Sequence, residues 1–150
     1  MQKWLVPTDG SASALHAVAW ASRTSKLMQD GVTITLLAVV EDSPASMMMV
    51  GPEPMMADPS LFEAVAERAT AAAQDALNRS TTTLQADGVT SEQRIERGTP
   101  RQVICDVASS GGYDMLIMGS RGLGGLAEMV LGSVSHYVVQ HATTPVLIVH

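Results

Sequence analysis

Four uninterrupted apolar runs stand apart along this chain. They are "KWLVP" (Lys3–Pro7), "VTITLLAVV" (Val32–Val40), "DMLIMG" ending at Gly119, and "TPVLIV" (Thr144–Val149). Each is largely continuous in apolar and β-branched residues, so each reads as a strand buried on both faces. Between them the pattern changes to helical spacing. A segment opening at "TDGSAS" predicts a first helix to about Met28. A second helix is expected from "DPS", with Asp58 as cap and Pro59 at the first helical position. Its residues Phe62, Val65, Ala69, Ala72 and Ala76 step by three and four and predict one buried stripe. "TSEQRIERG" (Thr90–Gly98) is a weaker, polar strand. "TPRQVICDVAS" opens a third helix with a capping box of Thr99 and Gln102 around Pro100. A fourth helix falls between the last two strands. Strands alternating with helices define an α/β domain, a parallel sheet covered on both faces. Ligands of such sheets bind outside the carboxyl ends of the strands, where strand order reverses. The first and fourth strands end in "PTDGS" and "MGSRG", polar turns that could share one crevice.

The 150 residues are most simply one domain, 1–150, and a chain of this size buries roughly 68–70% of its unfolded surface. One cysteine cannot form an internal disulfide, which fits a reducing compartment. The apolar run near Met1 is too short for a signal peptide, and no stretch reaches the ~20 residues of a membrane span. A cytoplasmic protein with no membrane partner is expected. The net charge of −6 and an aromatic content of 3% leave no basic stripe and few stacking surfaces, against nucleic acid as a partner. Any phosphate must be held by local geometry.

"GSRGLGGLAEMVLGS" (Gly119–Ser133) joins the fourth strand to the fourth helix and carries five glycines. Three glycine motifs fail on it or near it. The spacing Gly119 to Gly124 suits a Walker A loop, but Gly125 stands where its lysine must be. Gly122-x-Gly124-x-x-Ala127 lacks the later acidic residue of a dinucleotide fingerprint, since residue 142 is alanine and one short strand remains. "SGGYD" (Ser110–Asp114) precedes a strand and has Met115 where a pyrophosphatase loop has serine. A helix stop at Gly111–Gly112 explains it. The spacing that fits is Gly119-x2-Gly122-x9-Gly132-Ser133. With "VPTDGS", "LLAVVED", "IERGTPRQVICDVA", "YDMLIMGSRGLGG" and "LGSVSHYVVQHATTPVLIVH", it makes the whole chain resemble the universal stress protein family, in which this spacing marks an ATP-binding loop.

The resemblance implies a Rossmann-like sheet of strand order 3-2-1-4-5 that binds an adenine nucleotide, ATP with Mg2+. It implies a site of Pro7, Thr8 and Asp9 after the first strand, with Asp9 at the sugar, and of Val39, whose backbone meets adenine. It extends over Gly119, Ser120, Arg121 and Gly122, then Gly132, Ser133, Val134 and Ser135. Bare glycine backbone lets phosphate oxygens approach, and a helix opening at Ser133 presents N–H groups and a partial positive charge. Arg121 supplies a formal positive charge. The family often has histidine or asparagine where this chain has Ala38, a departure that touches base selectivity. The last strand, at the sheet edge in that topology, is expected to form a homodimer through Thr144–Val149, and an unidentified downstream protein would read the nucleotide state.

Simpler roles exist for several of these residues. Asp9 beside Gly10 could be a turn former or helix cap. His136 and His141 are five residues apart, outside zinc spacing on a helix, and no metal site is expected. Cys105 has no catalytic partner nearby in sequence. Met47–Met49 with Met55 and Met56 suit either an adaptable surface or a plain loop. Two other functions share the fold: an enzyme, either a slow ATPase or a protein phosphorylating its own Ser133 or Ser135, and a module for cyclic AMP. No catalytic residue is assigned. The hydroxyls of Ser120, Ser133 and Ser135 with one arginine and no loop lysine suit holding nucleotide more than transferring its phosphoryl group.

Overall fold

The computed structural model describes residues 1–41, 59–122 and 131–150. The expected cap at Asp58, the methionines Met47–Met56 and residues 123–130 of the glycine segment lie outside these. The elements run β1 (Gln2–Pro7), α1 (Ala12–Ser25), β2 (Val32–Val40), α2 (Pro59–Ala86), β3 (Ser91–Arg97), α3 (Pro100–Ser110), β4 (Met115–Gly119), α4 (Ser133–His141) and β5 (Val146–Val149). The five strands form one sheet of order β3-β2-β1-β4-β5, every neighbouring pair parallel.

Side-chain alternation divides the core. Trp4 and Val6 of β1, Ile34, Leu36 and Ala38 of β2, and Ile117 of β4 pack under α1 and α2. Leu5, Leu37, Leu116 and Met118 point the other way, under α3 and α4. A central strand buried on both faces must be apolar at every position, which is why the alternation is invisible in the sequence. β3 lies at an edge and keeps a polar sequence, and Arg94 and Glu96 pair along it at 2.6 Å. β5, at the other edge, is half-buried along its length rather than covered on both faces.

Four local expectations need correction. α1 stops at Ser25, and the chain turns through Lys26–Met28, leaving Leu27 exposed. The buried face of α2 carries Ala73, Ala76, Leu77, Ser80 and Leu84, while Phe62, Val65 and Ala72 of the expected stripe are exposed. Polar Ser80 belongs to that face because its hydroxyl meets that of Thr8 at 2.9 Å. Thr99 stands at the N-cap of α3, with Pro100 next, but its side chain makes no cap hydrogen bond. The Gln102 N–H donates instead to the Thr99 carbonyl. β5 begins at Val146, not Thr144. Pro145 has no N–H to give a ladder, and the Thr144 hydroxyl donates to the Ala108 carbonyl.

The helix stop after α3 is as expected. Gly112 takes φ +63°, and the Asp114 carboxylate then accepts from the Lys3 N–H as β4 begins. Asp87, just past α2, accepts from the Ser22 hydroxyl and the Lys26 ammonium, and these bonds hold its carboxyl below the usual range. No helix among the described residues is long and apolar enough to cross a membrane.

Candidate functional site

Strand order reverses between β1 and β4, and the ladder between them is short. Trp4 pairs with Met115 and Leu5 with Leu116, and no pair follows. β1 instead follows β2 as far as Pro7, opposite Leu37. Past Leu116 the two central strands part, and a cleft of about 370 Å³ opens at their carboxyl ends. That is where a doubly wound sheet binds its ligands.

The turn after β1 forms one wall. Thr8 is buried, its N–H donating to the Leu37 carbonyl and its hydroxyl accepting from the Gly10 N–H. Asp9 is exposed, and its Oδ1 accepts from the Ser11 N–H at 2.9 Å. It therefore does serve as a turn former. The same carboxylate also faces the glycine segment, because a Cβ on Gly122 would lie 2.8 Å from Asp9 Oδ2. The turn and ligand-facing roles of Asp9 are compatible.

The opposite wall is formed by Gly119, Arg121 and Gly122 together with Gly132 and the start of α4. Gly119 is buried, and its reason for being glycine is not the one expected. A Cβ there would meet the Ser13 backbone at 2.6 Å, so the missing side chain admits the first turn of α1. At Gly132 a Cβ would find its nearest neighbour, Arg121 Cα, at an ordinary 3.4 Å, and at Gly122 it would meet only the Asp9 carboxylate. The Ser120 N–H donates to the Val149 carbonyl, joining the segment to the end of β5. The Arg121 N–H donates to Ser13 Oγ, and its side chain is exposed at the cleft. Gly132 is the N-cap of α4 in extended conformation, with no side chain capping the helix. α1, by contrast, is capped by Ser11, which accepts from the Ala14 N–H. Among the described residues, no side chain accepts from the leading N–H groups of α4 at the cleft, an arrangement suited to an anion.

Eleven of the twelve expected residues line this one cleft: Pro7, Thr8, Asp9, Val39, Gly119, Arg121, Gly122, Gly132, Ser133, Val134 and Ser135. Ser120 does not, being buried behind the wall. Ala14, Leu37, Pro100, Ile104 and Met118 also line it and were missed. Met118 was findable as a strand end beside Gly119, whereas Leu37 lies within β2 and reaches the cleft as the ladder partner of Pro7. Pro100 and Ile104 are one helical turn apart, but nothing local brings α3 over the cleft. These residues make the floor apolar and the Asp9–Gly122–Ser133 side polar, a division that suits a heterocycle with a charged tail. Ala38 sits in the core under α1 and α2, off the cleft wall, so the departure there alters packing instead of the lining. Cys105, beside Ile104, is partly buried, which pushes its thiol up and away from a reactive thiolate. His136 is exposed on α4 and off the cleft.

Fold and cleft together define a doubly wound parallel-sheet protein with a crevice at its switch point. A family model described as "Universal stress protein family" matches residues 1–150, and the chain belongs to that family. A universal stress protein of Methanocaldococcus jannaschii is 30% identical over 148 residues, covering 99% of this chain and 81% of that protein. One from Synechocystis is 47% identical over 66 residues, 44% of this chain and 43% of its own, so the match spans under half that relative's length. Among solved structures, universal stress protein UspA of Lactobacillus plantarum superposes with TM-score 0.79 at 27% identity, covering 99% of this chain and 97% of its own. A family member from Arabidopsis thaliana with AMP bound gives TM-score 0.66 at 26% identity, covering 99% and 91%. A universal stress protein in complex with cAMP gives 0.65 at 26%, covering 99% and 97%.

Proposed function

We propose that the cleft binds an adenine nucleotide, ATP with Mg2+, and that another protein reads whether it is filled. The observation that carries this is the convergence of the β1 turn, Gly122 and the uncapped start of α4 on one cleft with an apolar floor. The base would lie toward Val39 and Ile104, the sugar toward Asp9, and the phosphates toward Gly122 and the N–H groups of α4. Mg2+ would enter with the triphosphate and offset its charge, since Arg121 is the one formal cation among the described residues lining the cleft. The AMP and cAMP bound by two structural neighbours support an adenine ligand.

The test is thermal melting of protein shown to be free of ligand. ATP at a hundredfold over its Kd is expected to add about 2.7 kcal/mol, or roughly 5–10 °C in Tm for a chain of this length. No shift at millimolar ATP with Mg2+ overturns the reading, and a shift with cyclic AMP alone moves it to the cyclic nucleotide.

Holding is favoured over turnover. Phosphoryl transfer needs a placed nucleophile, a group to orient it and cations on the moving phosphate. Ser135 Oγ is buried and donates to the Ser120 and Gly132 carbonyls, which argues against it as a phosphate acceptor.

We further propose a homodimer through β5. An apolar edge strand invites a second chain, and antiparallel pairing about a two-fold axis closes both edges. Light scattering is expected to give twice the monomer mass, and Val146→Pro to halve it by removing a ladder donor. A parent protein of monomer mass at micromolar concentration refutes it.

A further inference from the structure

Ser120, just past β4, and Gly132, at the start of α4, are joined by one knot of hydrogen bonds. The Ser120 carbonyl accepts two hydrogen bonds, from the Gly132 N–H at 2.7 Å and from Ser135 Oγ at 2.8 Å. Ser135 Oγ also lies 3.1 Å from the Gly132 carbonyl, which itself accepts the His136 N–H at 2.9 Å. Ser120 is 6% exposed and Ser135 3%. Both acceptor positions of the Ser120 oxygen are therefore filled, and the one Ser135 proton is shared between the two carbonyls that bracket the segment.

We propose that Ser135 is a positioning residue whose hydroxyl clasps the base of the phosphate segment. It holds Gly132, and with it the leading N–H groups of α4, at a fixed place relative to Gly122. This deepens the nucleotide reading and rests on it. A hydroxyl bound to the Ser120 and Gly132 carbonyls fixes these two main-chain positions relative to each other before any ligand arrives, so less freedom is lost on binding. The sequence could not separate this role from that of a ligand, since Ser133 and Ser135 look alike beside Gly132. Burial and bonding separate them. Both border the cleft, but Ser133 is exposed, whereas Ser135 is buried with its hydroxyl bonded to main-chain carbonyls.

The experiment compares the parent with Ser135→Ala, Ser135→Thr and Ser135→Cys. Two quantities are read: ATP affinity, and exchange of the Gly132 amide in nucleotide-free protein, relative to the core amide of Leu5. Ser135→Ala is expected to speed Gly132 exchange and to weaken ATP by roughly tenfold each, the usual net size of one buried hydrogen bond. Ser135→Thr keeps the hydroxyl and is expected to restore both. Ser135→Cys keeps the volume with a weak donor, should behave like alanine, and carries the test if alanine does not fold. Unchanged Gly132 exchange in the alanine or cysteine variant overturns the clasp. So does faster exchange with ATP affinity intact. A parent that binds no ATP defeats the nucleotide reading alone, because the exchange measurement still scores the clasp.

Discussion

Gly119→Ala is expected to lose about 3 kcal/mol of stability, the upper range for an overpacked core position, and with it roughly 6–12 °C of Tm. The new methyl group would lie 2.6 Å from the Ser13 carbonyl carbon and oxygen. These are backbone atoms of the first turn of α1, beside the Ser11 cap, and cannot rotate away as a side chain would. Relief requires moving α1 off β4, against packing that runs through Ala17, Val18 and Ile117. Thermal melting by circular dichroism measures the effect. A Tm within about 2 °C of the parent would mean that α1 yields, and the packing role given to Gly119 would be wrong.

Gly122→Val and Gly132→Val should do the opposite, keeping the fold and losing the ligand. Beyond Gly122 the neighbour is the Asp9 carboxylate, an exposed side chain that can swing aside. Beyond Gly132 the nearest atom, Arg121 Cα, is 3.4 Å away, and its backbone is extended at φ −69°, which any residue adopts. Valine at either position costs stability on the order of 1 kcal/mol, yet sets a branched side chain over the backbone that phosphate must approach. ATP affinity is expected to fall at least about a hundredfold, or 2.7 kcal/mol, by calorimetry. If either variant binds ATP like the parent, the phosphates do not lie on this segment.

These two predictions divide three glycines that the sequence presents as one motif. Spacing marks where backbone must stay bare but not what approaches it, which for Gly119 is a helix of the same chain. Strands were legible wherever both faces are buried: Val32–Val40 runs between the bounds its apolar residues suggest. The face of α2 was not. Its buried side holds three small residues, Ala73, Ala76 and Ser80, beside Leu77 and Leu84, so alanines off that face extended a false stripe from Phe62 and Val65. The capping box at Thr99 failed for a different reason, because the Gln102 N–H has a closer backbone acceptor. The polar side of the cleft was legible because its residues cluster at two strand ends. The floor needed Pro100 and Ile104, which only tertiary packing brings to Met118.

The position of β1 at the centre of the sheet has a further consequence, for the order of assembly. One edge of β1 pairs with β2, some thirty residues on, as Gln2 with Val32. The other edge waits for β4, where Trp4 meets Met115. The first connection closes a short loop and the second a long one, and loop-closure entropy makes the second slower. During synthesis, β1, α1 and β2 can associate while the strand edge at Trp4–Leu5 has no partner. Both tryptophans, whose tilted rings lie 6.4 Å apart between β1 and α1, belong to this early half. The late half brings β4, α4 and the glycine segment. The cleft between β1 and β4 therefore forms last, and an intermediate lacking it would expose the apolar β1 edge to other chains.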